Sequence, residues 1–451
     1  MPVRHLFGLW VAALAVRLAY LASAGDLSVL AWVEDSRTYW SMADTLLERA
    51  AFLVEYDPGQ FAPMVERTPG YVAFLAGVKS VLGDRVLPVL ALQSAIDAGT
   101  VLLIASIAGR LGRHVGMIAG ALAVVWPNMI IHSSQILTDS VFLFFFTLFM
   151  WGAVRTLEQA APARAVGAGV ALGLATLIRA ASWPFQLVAP LFVFGALTVR
   201  LRRVAPSAGL TLVFLAASLA PAAPWLVRNA LEFDSLTLTA QGGPHLSGWV
   251  APEVIAYAKG SDRAREAATL RREIERTYEA RTGRPLSEES RFEINAVYAE
   301  GGLQALMDQP PSAIAAVWLK GMAANLATPA ALLDPRIRQA IESAGDGAGY
   351  RTALVNAWRS GDFGLRAGLA LLAAGALIAG GLQAIGFALC LRRRPRTTAL
   401  GAAIVLYFLL LTGPVISPKY RLPIEPVLLI WTAVAIEAVW RRLTTPSRRV
   451  Q

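Results

Sequence analysis

Long apolar runs alternate with short polar breaks along the chain, and this rhythm sets the first expectation. Runs able to cross a bilayer as helices of about 17 to 25 residues lie near 5–24, 86–109, 115–132, 139–156, 165–181, 184–199, 205–226, 364–391, 397–414 and 422–440. They predict an all-α polytopic membrane protein, a bundle of about ten transmembrane helices. Two stretches interrupt the rhythm. In loop 25–85, "SRTYWSMADTLLERA" predicts an amphipathic helix over about 36–50. In segment 227–363, "SDRAREAATLRREIERTYEARTGRPLSEESRFEINAVYAEGGLQALM" has helical composition and charge pairing, broken at "TGRP". The apolar piece 310–332 reads as an interfacial or re-entrant helix with Lys320 snorkelling, because a crossing there would turn "LRRRPR" outward. The chain therefore divides into an N-terminal transmembrane module, 1–226, which carries the first outer loop 25–85; a mainly extracytoplasmic helical segment, 227–363; and C-terminal transmembrane helices with a basic tail, 364–451.

Composition sharpens this picture. Hydrophobic residues make up 56% and charged residues only 16% of the 451 residues, against about 25% charged in ordinary globular domains. A net charge of +10 raises the question of nucleic acid, but the cations sit in short tracts beside apolar runs: "RLRR" (200–203), "LRRRPR" (391–396) and "WRRLTTPSRR" (440–449). Such tracts lack interleaved aromatics and base-reading motifs, and they fit the positive-inside rule instead. That rule puts both termini in the cytoplasm and loops 25–85, 227–363 and 413–421 on the extracytoplasmic face. The start "MPVRHLFGLWVAALAVRLAYLASAGD" mimics a signal peptide, but Arg17 within its apolar region argues for a retained first helix. The single cysteine, Cys390, excludes an intramolecular disulfide. A chain rich in Arg and Ala and poor in Lys suggests a GC-rich bacterial source and the plasma membrane.

Candidate chemistry then gathers on one face. Glu34 and Asp35 stand where the first helix ends; Asp35 or Ser36 can cap the next helix, or a carboxylate there can act as a general base toward an acceptor hydroxyl. Arg67 precedes a Pro69–Gly70 turn and is either an interfacial arginine or a phosphate or substrate contact. Asp139 opens the run "VFLFFFTLF"; it is either an N-cap, alone or with Thr138, or a partnered functional carboxylate. Lys419, Tyr420 and Arg421 crowd the last outer loop, as headgroup anchors or as ligands of a lipid phosphate. His132 lacks a second histidine at ligand spacing. Arg17 and Asp97 lie inside presumed spans and either pair with each other or snorkel.

Five segments in register resemble bacterial membrane glycosyltransferases of the GT-C fold, the dolichyl-phosphate-mannose protein mannosyltransferase and aminoarabinose transferase relatives. "EDSRTYWSMADTLL" resembles their acidic-x-x-x-Tyr-x-x-x-Ala first-loop motif, and "ERTPGYVAFLAGV" their Arg-x-Pro-Gly-Tyr element. "QILTDS" occupies the second acidic loop, with Asp139 where Glu is usual. "APWLVRNALEFDSLTLTAQGGPHLSGW" is similar to their Pro-Trp-x-x-Arg-Asn segment, and "SPKYRLPIEPVLLIW" to a closing Arg-Tyr-Arg-x-Pro element in which Lys419 replaces the first Arg. The resemblance implies a GT-C-like bundle with outer-face juxtamembrane helices and a small extracytoplasmic segment. It implies an inverting transferase moving a sugar from a polyprenyl-phosphate donor to a lipid, glycan or protein acceptor. Asp35 is then the general base, with Glu34 in reserve. Tyr39, Arg67, Arg228, Lys419, Tyr420 and Arg421 bind phosphate or sugar. Asp139 orients the acceptor or holds a divalent metal; no other cofactor is implied. Trp249 in "GGPHLSGW" is placed to stack on sugar. The competing classes are a transporter or flippase, for which Asp97 is the single hint, and a polymerase or ligase of lipid-linked glycans.

Overall fold

The computed structural model describes residues 1–33, 35–343, 355–356, 358–359 and 363–444. Among them, seven helices are long and apolar enough to cross a membrane: Val3–Ala22, Val86–Ala108, Asp139–Glu158, Ala180–Leu201, Arg366–Arg393, Pro395–Thr412 and Pro418–Thr444. Two bent pairs raise the number to nine if each is one span: Arg113–Val124 with Pro127–Ser133, bent by 49°, and Val204–Leu219 with Ala223–Phe233, bent by 58°. The protein is an all-α, multi-pass membrane protein. Fewer spans than the ten apolar runs result because proline breaks two of them. Pro127 pushes Trp126 into extended geometry (φ −74°, ψ 116°). Pro221 and Pro224 remove amide donors between Leu219 and the following helix. The run 165–181 becomes the apolar helix Pro162–Ile178, 17 residues long.

The break after Val124 has a partner within the bilayer. Pro127 has no N–H for the carbonyl of Ala123, and the bend interrupts the helical bond to that of Val124. Arg17 of the first helix supplies substitutes, donating to Val124 O at 3.1 Å and Ala123 O at 3.3 Å. The same side chain forms an ion pair with Asp97 at 2.5 Å, both groups fully buried. Pairing, rather than snorkelling, is thus how these two charges are accommodated, and three helix segments are pinned at one point.

Helix Asp139–Glu158 is the axle of the bundle. Its "VFLFFFTLF" run places Phe142, Phe146 and Phe149 against Phe185 and Phe408, with Phe146 edge-on to Phe408 at 5.2 Å. Lipid is as apolar as these rings, so burial from water drives little here. The gain comes from ring geometry, about 0.5–1.5 kcal/mol per aromatic pair.

One end of the bundle carries the first loop. Its amphipathic helix, Ser36–Arg49, is followed by a hairpin, Leu53–Asp57 with Gln60–Pro63, and a second helix, Pro69–Leu82. The hairpin is absent from the sequence-based expectation; Gly59 takes φ +77° at its turn. The two loop helices are clamped by Lys79, which pairs with Asp44 and lies 4.1 Å over the Trp40 ring. Beyond the bent pair, helices Ala251–Lys259, Arg263–Thr282 and Arg291–Met307 share a separate small core around Leu270, Ile274 and Tyr298. Asp262 and Ser290 cap the latter two by accepting from Arg265 N and Glu293 N. The apolar piece becomes helix Pro311–Ala327, which falls short of a span and bonds to the bundle through Trp318 Nε1 to Leu410 O, 3.1 Å. Lys320 is exposed on it.

Candidate active site

The first helix ends at Ala22, and the turn closed by Ser36 follows a short helix, Ser28–Ala31. The Ser36 Oγ accepts from Val33 N at 3.1 Å and donates to Val33 O at 2.5 Å. Asp35, one residue earlier, makes no capping bond. Its carboxylate instead accepts from Arg67 Nη2 at 2.9 Å and is half exposed. Glu34 lies outside the described residues. One helical turn on, Tyr39 is buried and meets Tyr71 edge-on at 5.2 Å; burial pushes its phenol above the usual range. Tyr71 donates to Gln93 Oε1 at 2.5 Å, and Gln93 donates to Gln135 O at 2.8 Å. Ile136 N donates to Ala31 O at 3.1 Å. The first loop is thereby bonded to the turn that ends in Asp139.

Arg67 is held in place through its backbone neighbours. Met64 N donates to Phe52 O at 2.8 Å, and Ala240 N donates to Val65 O at 2.7 Å. Arg228 Nη1 donates to Met64 O at 3.0 Å. The Pro69–Gly70 turn follows, and a Cβ on Gly70 would lie 2.6 Å from the Leu177 carbonyl oxygen. A side chain there would collide with backbone, so glycine lets this helix approach the chain two residues before Arg179. Arg228 itself is committed elsewhere: it pairs with Glu232 at 2.8 Å and lies over the Trp225 and Phe233 rings at 4.6 and 4.7 Å. It borders a cavity of about 650 Å³ with Trp225 and Leu177. Its bonds brace the Arg67 loop, in place of the direct phosphate contact expected of it.

Asp139 starts the central helix fully buried, and the preceding Thr138 makes no capping bond. Arg179 donates to its Oδ1, and Lys419 Nζ stands 3.7 Å from its Oδ2. A buried carboxylate without such partners would cost several kcal/mol. His132 is buried nearby, its Nδ1 2.8 Å from Asn128 O. Tyr420 lies within electrostatic reach of Arg179. Tyr39 lies within the same reach of Asp35, Arg67, Asp139 and Arg179. Arg421 points away from this group. Its Nε donates to Glu425 Oε1 at 2.8 Å and its Nη1 to Leu326 O and Thr328 O at 2.6 and 3.1 Å. It fastens the end of helix Pro311–Ala327 to the last span, so a phosphate role is not what its bonds describe. The glycine turn before Trp249 is likewise used in packing: Gly243 N donates to Asn295 Oδ1 at 2.8 Å, and Arg263 covers the Trp249 ring at 4.3 Å.

The structure thus gathers Asp35, Tyr39, Arg67, Asp139, Lys419 and Tyr420, and adds Arg179, which sequence reasoning passed over as part of the "RAASWP" turn. Its signal was available: a lone arginine closing an apolar helix. Among the described residues no three His, Cys, Asp or Glu side chains converge as metal ligands.

Residues 66–227 match the family model of dolichyl-phosphate-mannose-protein mannosyltransferase, a stretch that contains Arg67, Asp139 and Arg179. The fold is similar to the oligosaccharyltransferase from Archaeoglobus fulgidus in its apo form, with a TM-score of 0.56 and 13% identity over 97% of this chain and 51% of that one. For the archaeal oligosaccharyltransferase AglB from the same organism, in complex with an inhibitory peptide and a dolichol-phosphate, the TM-score is 0.52 at 11% identity over 97% and 50%. The chain spans about half the length of these proteins. ArnT from Cupriavidus metallidurans bound to undecaprenyl phosphate aligns over 98% of this chain and 79% of its own at 13% identity, but with a TM-score of 0.41 it carries no weight here. No curated protein matches the sequence. Over residues 66–227 the chain is thus similar to the protein mannosyltransferase family, and as a whole it shares its fold with the archaeal oligosaccharyltransferase.

Proposed function

We propose that the protein is an inverting glycosyltransferase that takes a sugar from a polyprenyl-phosphate donor and delivers it to a hydroxyl or amine of a lipid, glycan or protein acceptor. The observation that carries this reading is that a half-exposed carboxylate (Asp35 with Arg67) and a cation pair held by a buried one (Arg179 and Lys419 on Asp139) both lie within electrostatic reach of Tyr39. In an inverting displacement the base and the leaving group lie on opposite sides of the anomeric carbon. Asp35 accepts the acceptor's proton as its oxygen or nitrogen bonds to that carbon. The bond from the carbon to the donor's phosphate oxygen breaks, and the electron pair stays on the lipid phosphate. That leaving group needs no proton, but it needs fixed cations where its charge develops, and Arg179 and Lys419 are the candidates. Asp139 is then a positioning residue for those cations, rather than the acceptor-orienting group that its loop position suggested. Arg67 keeps the Asp35 carboxylate aimed until the acceptor arrives.

The basic tracts lie at the end of the bundle away from the first loop, which supports an extracytoplasmic site and cytoplasmic termini. Asp97, the single pointer to an ion-coupled transporter, is paired with Arg17. The test is sugar release from a panel of polyprenyl-phosphate sugars by the purified full-length protein in lipid, beside Asp35→Asn. Turnover lost in the variant, with folding intact, supports both donor class and base. Equal turnover removes Asp35 from the base role. Movement of the intact lipid across the bilayer without sugar release would instead establish a flippase.

A further inference from the structure

The end of the bundle remote from the first loop contains a cavity that the proposed reaction does not use. Its volume is about 580 Å³. At its mouth stand Arg110, Arg200, Arg393, Arg394 and Arg396, opposed by one lining carboxylate, Glu158. Glu158 is taken by Arg110, and Arg200 donates to Leu157 O at 2.8 Å. Arg393 is 4.0 Å from Glu437, which Arg441 also engages. Among the described residues Arg394 and Arg396 have no ion-pair partner, and both are exposed. Burial, and then the nearby Arg155 and Arg164, hold the Arg110 guanidinium below its usual range, so the mouth is short of negative charge.

The interior is of the opposite character. Val154, Ile404, Val427 and Trp431 form walls that run inward along the helices. From Pro395 at the mouth to Ile404 is about 13 Å along the helix axis, which matches much of one bilayer leaflet, about 15 Å thick. A cationic mouth over an apolar shaft has the form of an amphiphile with a phosphate head.

We propose that this cavity is a binding site for an anionic phospholipid, with its phosphate on Arg394 and Arg396 and an acyl chain along Ile404 and Trp431. Basic pockets between transmembrane helices recognise such headgroups through charge-assisted hydrogen bonds. This site is separate from the candidate active site, at the other end of the helices Asp139–Glu158 and Glu425–Thr444 that both share.

The test uses the full-length protein, delipidated in detergent, with bound lipid counted by native mass spectrometry. Phosphatidylglycerol, phosphatidylcholine and inorganic phosphate are compared on the wild type and on the double variant Arg394→Gln/Arg396→Gln. Retention of phosphatidylglycerol over phosphatidylcholine, weakened about tenfold or more in the double variant, is expected from the loss of two charge-assisted bonds. Equal retention of both lipids, or no change in the variant, would overturn the proposal, and so would inorganic phosphate displacing phosphatidylglycerol at equimolar concentration. A phosphatidylglycerol carrying a photoactivatable group at mid-chain provides a readout on the folded wild type. Crosslinks within 395–412 and 425–444 are expected, and crosslinks elsewhere alone would sink the idea.

Discussion

The two acidic sites on the first-loop face share a charge and differ in everything around it. Asp35 is half exposed and has one cationic partner across a single 2.9 Å bond. Asp139 is fully buried between Arg179 and Lys419. An exposed pair contributes about 0–1 kcal/mol and exchanges readily with water or ligand. Removing the carboxylate from a buried pair costs about 3–5 kcal/mol, because its partners stay behind uncompensated. The comparison teaches a division of labour: the carboxylate that can give up its partner is suited to carry a proton, and the one that cannot is suited to hold cations still.

Substitutions can break that comparison. Asp35→Asn should lower glycosyl transfer by about 10²–10⁴-fold, the usual yield of a positioned general base, while thermal unfolding shifts little. Asp139→Asn should act the other way, lowering stability by about 3–5 kcal/mol, read as loss of the folded peak in fluorescence-detected size exclusion on heating. A variant at Asp139 as stable as wild type would remove the distinction. Gly70→Ala should cost about 1–3 kcal/mol, since the new Cβ meets backbone that cannot retreat; the same chromatography on heating reads it, with the wild-type transition as reference. The smallest expected effect is the coupling between Asp35 and Arg67: a double-mutant cycle on unfolding should return no more than about 1 kcal/mol. A coupling of 3 kcal/mol would mean that the pair is structural after all.

How much of this was legible in the sequence depended on distance along the chain. The spans, the amphipathic helix after Asp35 and the caps at Asp262 and Ser290 are local features, and periodicity with capping chemistry finds them. Asp35, Arg67 and Lys419 stood out because they border apolar runs. Arg228 and Arg421 look the same in sequence, yet one braces Met64 and the other clamps carbonyls of residues 326 and 328. Only tertiary contact separates a cation paired with a candidate-site carboxylate from one engaged elsewhere in the fold. Arg179 was hidden for the same reason, since its partner lies forty residues earlier on another helix. The hairpin was within reach: "YDPGQ" carries a turn signal, outweighed there by the helical character of its surroundings.

The arginine that fills the break after Val124 also bears on biogenesis. The first helix enters the bilayer carrying a cation that costs about 2.5–3.5 kcal/mol on insertion scales, and its three acceptors outside that helix arrive 80 to 107 residues later. Until they do, the N-terminal helix is a weakly committed segment, held by its other apolar residues and free to slide toward the surface. Completion of Val86–Ala108 and Arg113–Val124 locks it in depth and rotation at one stroke. Assembly of the N-terminal half is therefore cooperative by construction, and a translation product that stops before residue 97 would lack the means to anchor its own beginning.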